Sequence, residues 1–164
     1  MSDSLSTYLS DHLAGAKFAI DLLEHVRDSH ANLPLGLFAG RLVSEIKDDR
    51  SVLESLSKEV GDGGGVLKEA TAWLAEKASR LKLQFGNDAG LSEFEVLEVL
   101  SIGVLGKLKL WLALSQIVDR DARVRALDLD RLIERAKAQH DEIESRRLEA
   151  AKWVFANRDA TPSN

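Results

Sequence analysis

Four ionisable residues of this chain stand where its helical pattern calls for apolar side chains, namely His12, Glu45, Asp49 and His140. Two imidazoles and two carboxylates are ligand types that suit zinc, iron or manganese. A histidine beside an aspartate is also the minimum equipment for general acid–base chemistry. Because buried charge is costly unless it is paired or bound, these residues predict either a hydrogen-bonded polar layer or a metal or small-ligand site.

The spacing of apolar residues predicts that helices carry all four positions. His12 falls in a helix over about 4–29, and Glu45 and Asp49 fall in a second helix that begins near Pro34 and ends near residue 60. Further patterns predict a shorter helix over 66–85, a long apolar helix over 92–118 and, after a polar connection, a helix from 129 that contains His140. No alternating strand pattern is present, so the predicted fold class is all-α.

The helix lengths predict an up-down bundle of four long helices, with the shorter helix carrying the chain back along the bundle. Glycine-rich breakers at 61–65 and 86–90 flank that connecting helix. Residues 1–156 then form a single domain and residues 157–164 a flexible tail. The first and last long helices run in one direction and the other two in the opposite direction.

Each helical residue adds about 1.5 Å of rise, so the level of a residue along the bundle can be counted from the end of its helix. This count predicts that His12, Glu45, Asp49 and His140 lie in one layer. Lys107 of the apolar helix falls at the same level, where it is a charge partner for the acids. Arg147 falls about two turns above His140, near Glu98, so we expect Arg147 to neutralise Glu98 or Glu45.

This arrangement resembles the ferritin-like superfamily, in which inward carboxylates and two Glu-x-x-His motifs bind a pair of iron or manganese ions. The corresponding positions here read Glu45-x-x-Asp48 and Glu144-x-x-Arg147, so the resemblance implies a degenerate metal site. The chain is also similar to small uncharacterised bacterial helical proteins with Asp-His-Leu-Ala-Gly near the start, here at 11–15, and Glu-Ile-x-x-Asp-Arg in the second helix. That likeness implies no activity.

Composition excludes several classes of protein. The chain has no cysteine, hence no disulfide framework or thiol nucleophile. A formal net charge of -5 disfavours phosphate backbones, and we expect no nucleic-acid partner. The apolar stretch 94–118 contains Glu95, Glu98, Lys107 and Lys109, so it predicts a buried central helix and not a membrane span. The N-terminal residues lack the pattern of a signal peptide, and we expect a cytoplasmic protein.

The sequence is compatible with three classes of function. The first is a non-catalytic interaction or scaffold protein that docks a protein partner or self-associates, with no cofactor expected. The alternative is a ferritin-like metal-binding protein that uses His12, Glu45, Asp49 and His140 to hold iron, manganese or zinc. The third is an enzyme or small-ligand protein, which requires a pocket over the polar layer.

Overall fold

The computed structural model describes residues 4–61, 76 and 89–156. The described residues contain no strand, and the all-α prediction of four long helices is confirmed. The helices are α1 (Ser4–Ser29), α2 (Pro34–Val60), α3 (Ala89–Ser115), α4 (Ala122–Arg125) and α5 (Leu129–Ala156). Apart from Glu76, which is helical, the connecting helix predicted over 66–85 lies outside the described residues, as does the tail predicted over 157–164.

A tight turn joins α1 to α2. Asn32 adopts a positive φ of 65°, which asparagine tolerates better than most residues, and Pro34 begins α2 where its missing N–H has no partner to lose. A Cβ atom on Gly36 would lie 2.1 Å from the carbonyl oxygen of His30. Only glycine therefore lets the first turn of α2 approach the end of α1 this closely.

Contacts between helices fix their directions. α1 and α2 are antiparallel, because Ser6 near the start of α1 donates a hydrogen bond of 2.8 Å to the carbonyl of Gly61, which follows α2. α3 and α5 are antiparallel as well, since the ring of Phe94 lies 5.4 Å from that of Phe155 near the opposite end of α5. The core clusters show that α2 and α3 run parallel: the first half of each packs in one cluster and the second half of each in the other.

The end of α2 and the start of α3 consequently lie at opposite ends of the bundle. α2 has 27 residues, which at 1.5 Å per residue is about 40 Å. The sequence predicts the same directions, with α1 and α5 running one way and α2 and α3 the other.

The buried apolar residues form two clusters, one above the other along the bundle. The upper cluster includes Ile20, Ile46, Val104 and Ile143. The lower cluster contains the fully buried Trp111 and the residues Leu9, Leu53, Leu110, Leu114 and Ala136. Each long helix thus changes from one cluster to the other near its middle, and a polar layer occupies that level.

The region after α3 differs from the sequence prediction. α3 begins at Ala89, before the expected start at Ser92, and it ends at Ser115. The predicted polar connection contains the short helix α4, whose N-cap Asp121 accepts a hydrogen bond of 2.9 Å from the backbone N–H of Arg123. Asp128 accepts one of 3.2 Å from the N–H of Arg131 and so caps α5. A four-residue helix is too short to leave a periodic apolar pattern.

Within the described ranges, no helix combines the length and the apolar character needed to cross a bilayer. The charged residues of α3 account for this. Lys107 lies in the polar layer, and Glu98 is exposed to solvent.

Candidate ligand-binding cavity

A cavity of about 210 Å³ lies among α1, α2 and α3, at the level where the two apolar clusters meet. α1 supplies small side chains to its wall, from Gly15, Ala16 and Ala19, and α3 supplies Gly103. Between Leu9 and Ile20 no residue of α1 is buried. The small residues of α1 leave space at this level that the larger side chains of His12 and Phe18, which also line the cavity, do not fill.

Most of the cavity wall is apolar. α2 contributes Ile46 and Leu53 on either side of the polar layer, and α3 contributes Val104, Leu110 and the fully buried ring of Trp111. A molecule in this space would therefore contact aliphatic and aromatic carbon over most of its surface. Such walls are typical of small-molecule sites, in which a few polar groups set orientation.

His12, Asp49, Arg50 and Lys107 reach the wall of the cavity between these apolar positions. The side chain of Asp49 is only 2% exposed, and its Oδ2 lies 2.5 Å from Nζ of Lys107. Arg135 of α5 donates to the other carboxylate oxygen. Both oxygens of this buried acid therefore accept from a cation, which offsets the cost of burying its charge.

The Lys107 ammonium extends this arrangement to α5. It also donates to Oε1 of Gln139, and Nε2 of Gln139 donates to Oε2 of Glu45 at 2.8 Å. Burial lowers the pKa of Lys107, and the neighbouring Asp49 charge opposes that effect. We call Glu45, Asp49, Lys107, Arg135 and Gln139 the polar network; it ties α2, α3 and α5 together at one level.

The four residues singled out from the sequence occupy three different environments. Glu45 and Asp49 belong to the polar network but are linked only through Lys107 and Gln139. His12 lines the cavity, with its ring 4.7 Å from that of Tyr8, and burial lowers its pKa although Asp11 acts in the opposite direction. His140 instead contacts the hydroxyl of Ser101 at 3.4 Å.

The geometry bears directly on metal binding. Among the residues that the structure describes, no group of three or more His, Asp or Glu side chains is arranged to hold a metal ion. Lys107 and Arg135 take the positions around Asp49 where a cation would otherwise bind. The polar network is thus neutralised by side chains of the protein itself.

Arg147 forms a separate cluster nearer the start of α3. Its guanidinium lies 3.2 Å from Glu98, one of its two expected partners, and 2.6 Å from Glu144. The hydrogen bonds from Arg147, with a further one from Ser101, lower the pKa of Glu144 to about 2. Glu45, the other expected partner, pairs instead with Arg41 at 3.6 Å.

Sequence reasoning missed two members of the polar network, Arg135 and Gln139. The buried positions of α5 are 129, 132, 136, 139 and 143, which alternate in steps of three and four. A step of four from Ala136 leads to His140, the position predicted for the apolar face, whereas the buried residue lies a step of three away, at Gln139. Strict alternation would have found Gln139, since it continues the pattern of the preceding turns.

Two donors near the cavity lack an acceptor within the described part of the chain. Nε1 of Trp111 is buried with no hydrogen-bond partner, and so is Nε of Arg50. Both residues line the cavity. Buried donors in native proteins are nearly always satisfied, so each such atom calls for an explanation.

Exposed apolar side chains form a second feature of the surface. On α3, Ile102 is 66% exposed and Leu105 and Leu112 are each 38% exposed. We call these three residues the α3 stripe, since steps of three and seven place them on one helix face. Trp153, near the end of α5, is 63% exposed, whereas Trp111 is buried.

No protein-family model, curated protein or solved structure matches this chain.

Proposed function

We propose that this protein is a non-catalytic binding protein that holds one small, mainly apolar molecule in the cavity among α1, α2 and α3. The observation that carries the proposal is the cavity of about 210 Å³ among α1, α2 and α3, which opens to solvent beside the exposed Ile102 and Gly103. Native cores are packed as densely as organic crystals and leave few voids larger than a water molecule. An engineered apolar cavity of about 150 Å³ suffices to bind benzene.

The cavity volume sets the size of the ligand. A water molecule occupies roughly 30 Å³ of liquid, so the space corresponds to about seven waters. A molecule of about ten non-hydrogen atoms fits this estimate. Each buried methylene group contributes about 0.8 kcal/mol, which makes an eight-carbon chain a suitable probe.

The chemistry of the wall supports binding without catalysis. None of the described residues that line the cavity is serine or threonine, so the wall offers no hydroxyl nucleophile. The buried carboxylate of Asp49 already accepts from Lys107 and Arg135, and an acid held by two cations is a weak general base. Paired charges position a ligand better than they transfer its protons.

Glycines of α3 provide a matched pair of variants. Gly103 lines the cavity and Gly106 does not, and a Cβ atom at either position would meet nothing within 4 Å. Both Gly103→Leu and Gly106→Leu remove a glycine from a helix interior, so each should stabilise α3 by a similar amount. Only the first places a side chain at the cavity.

The test is calorimetric titration of the wild type and both variants with 1-octanol. The proposal predicts one octanol per chain in the wild type and in Gly106→Leu, and loss of binding in Gly103→Leu. A rise in melting temperature with octanol should follow the same order, since a ligand that binds only the folded state stabilises it. Equal binding by the two variants would place the ligand elsewhere and overturn the proposal.

A second candidate is the interaction or scaffold role, and the α3 stripe is the observation that favours it. Its occupant would be a second copy of the chain, because a two-fold interface places the same patch of both copies together; the exposed Lys109 lies on this face as well. Sedimentation at increasing concentration tests this role. The role predicts a mass that rises with concentration in the wild type and stays monomeric in Leu112→Glu, which does not alter the cavity wall; a monomer throughout would exclude it.

A further inference from the structure

The outer face of α3 carries an acid on one side of its exposed apolar residues and a base on the other. Ile102 and Leu105 are exposed and lie one helical turn apart. Glu98 precedes Ile102 by four residues and Lys109 follows Leu105 by four, and both charged residues are exposed. Steps of four, three and four residues keep these side chains on one face of the helix. The order along the face is acid, apolar, apolar, base.

This order is self-complementary when two copies of α3 pack antiparallel. A two-fold axis perpendicular to the helix, midway between Ile102 and Leu105, brings Ile102 of one copy against Leu105 of the other. The same axis places Glu98 of each copy opposite Lys109 of the other, because the two residues lie at equal distances from it, about 8 Å along the helix. Apolar contacts and two ion pairs form together in this arrangement.

Other arrangements of two α3 helices do not combine these contacts. In a parallel pair each residue meets its own copy, so that Glu98 faces Glu98 and Lys109 faces Lys109. An antiparallel pair shifted by about seven residues keeps the same helix faces together. Shifted in one direction, it places Leu105 opposite Lys109, and in the other it places Ile102 opposite Glu98. The register centred between Ile102 and Leu105 is the one that joins opposite charges and apolar side chains.

The charges of this face are accessible to a second copy. No residue in the described part of the chain pairs with the exposed ammonium group of Lys109. The side chain of Glu98 is 49% exposed, and its contact of 3.2 Å with Arg147 uses Oε2, which leaves Oε1 for a second cation. Exposed ion pairs add little affinity individually, whereas complementary charges determine the register in which two surfaces meet.

We infer that two copies of this protein associate through α3 in this antiparallel register, with Ile102 against Leu105 and Glu98 paired with Lys109 across the two-fold axis. The inference rests on the second candidate role, self-association through the α3 stripe, and specifies its geometry. It does not depend on a ligand in the cavity, because neither Glu98 nor Lys109 lines the cavity wall.

Leu112, the third residue of the α3 stripe, lies at the edge of this interface. The two-fold axis puts it at the level of Glu95 of the second copy. Leu112→Glu therefore adds an acid near an acid of the partner, which is a physical reason for the monomer that the second candidate role expects from this variant.

Reversal of single charges tests the register. Lys109→Glu places acids opposite each other at both ends of the interface, and Glu98→Lys places lysines opposite each other there. Each single variant should raise the dissociation constant of the dimer about tenfold, because two ion pairs are replaced by two repulsions. An equimolar mixture of the two variants should associate as a heterodimer about as tightly as the wild type, since opposite charges meet at both ends. Sedimentation equilibrium from micromolar to millimolar concentration measures each constant.

Two controls separate charge pairing from other effects. The double variant Glu98→Lys/Lys109→Glu should associate with itself but not with the wild type, because like charges meet in the mixed pair. Lys58→Glu reverses an exposed lysine of α2 and changes the net charge as much as Lys109→Glu does, so it should leave the dissociation constant unchanged. Melting temperatures check that each variant is folded, since Glu98→Lys also removes the contact with Arg147.

The outcomes separate the inference from the roles proposed above. A wild type that stays monomeric at millimolar concentration would overturn the inference together with the second candidate role, and binding of octanol in the cavity would be unaffected. A wild-type dimer that both charge reversals leave intact would show that self-association uses another surface or register. A mixture of the two single variants that stays monomeric would likewise overturn the pairing of Glu98 with Lys109.

Discussion

Asp49 of α2 and Lys107 of α3 form an ion pair of 2.5 Å at the point where the two apolar clusters of the core meet. The side chain of Asp49 is 2% exposed and that of Lys107 is 14% exposed. The pair is one wall of the cavity and also the start of the polar network that reaches Gln139 on α5. This ion pair therefore contributes both to the stability of the bundle and to the wall of the cavity that we propose as a binding site.

Removal of Asp49 should destabilise the protein strongly. Asp49→Ala leaves Lys107 and Arg135 close together without the acid between them, and loss of one partner of a buried ion pair costs about 3–5 kcal/mol. The neighbouring Asp48 is exposed, so Asp48→Ala is a matched control that should change stability by less than about 0.5 kcal/mol. Urea denaturation measures both values. Similar small losses in the two variants would show that the Asp49 pair is not a buried ion pair in solution.

Gln139 should matter more for stability than His140. Gln139→Ala removes one hydrogen-bond partner from Lys107 and one from Glu45, and an unsatisfied buried group costs about 1–3 kcal/mol. The His140 side chain is 25% exposed and contacts Ser101 at 3.4 Å, so His140→Ala should cost less. Denaturation of the two variants side by side gives the order. The reverse order would support the prediction from the sequence that His140, and not Gln139, lies on the apolar face of the helix.

Glu144 should make the protein sensitive to acid. Its pKa lies at about 2 in the folded protein against 4.5 for a free glutamate, because Arg147 donates to its carboxylate. Between these two values the unfolded chain binds the proton and the folded chain does not. The stabilisation that Glu144 provides is therefore fully present above pH 4.5 and is lost as pH falls toward about 2.

A carboxyl NMR titration measures this pKa directly. The pKa measured for Glu144 should be higher in Arg147→Met than in the wild type. It should stay low in the control Arg120→Met, which removes an exposed arginine from the turn after α3. If Arg147→Met leaves the Glu144 pKa at about 2, the guanidinium is not its cause.

The alternative function, a metal-binding protein, can be tested through the metal content of the purified protein. Because Lys107 and Arg135 hold both oxygens of Asp49, and because His140 lies in a different cluster, we expect no stoichiometric iron, manganese or zinc in protein purified without chelator. Elemental analysis after loading with each metal checks this, with His12→Ala/His140→Ala as the comparison. A near-stoichiometric ion that is lost in the double variant would contradict the expectation.

The helices could be predicted from the sequence because their signals are local. Pro34, the glycine that follows α2 and the three-and-four spacing of apolar residues determine the bounds of α1 and α2. α4 was missed because four residues carry no periodicity. The start of α3 was placed late because Ser92, with Glu95 three residues later, matches the pattern of a helix N-cap, yet Ser92 lies inside the helix, which begins at Ala89.

The site was predictable only in part. A height count along the bundle places Asp49 and Lys107 at the same level, and the structure joins them. The height count gives the level of a residue along the bundle but not the face of the helix on which it lies. His140 was for that reason grouped with Asp49, which is at a similar level. The cavity lies beside small residues such as Gly15 and Ala16. The pattern of apolar residues does not show where side-chain volume is missing, so the cavity could not be predicted from it.

The most direct test of the proposed binding site is the NMR signal of the Trp111 indole during titration with 1-octanol. The chain has 3 tryptophans, and Trp111→Phe identifies which of the indole signals belongs to Trp111. We predict that this signal shifts and saturates at one octanol per chain, because Trp111 lines the cavity, while that of the exposed Trp153 stays in place. A Trp111 signal that does not respond at saturating octanol would contradict a ligand in this cavity.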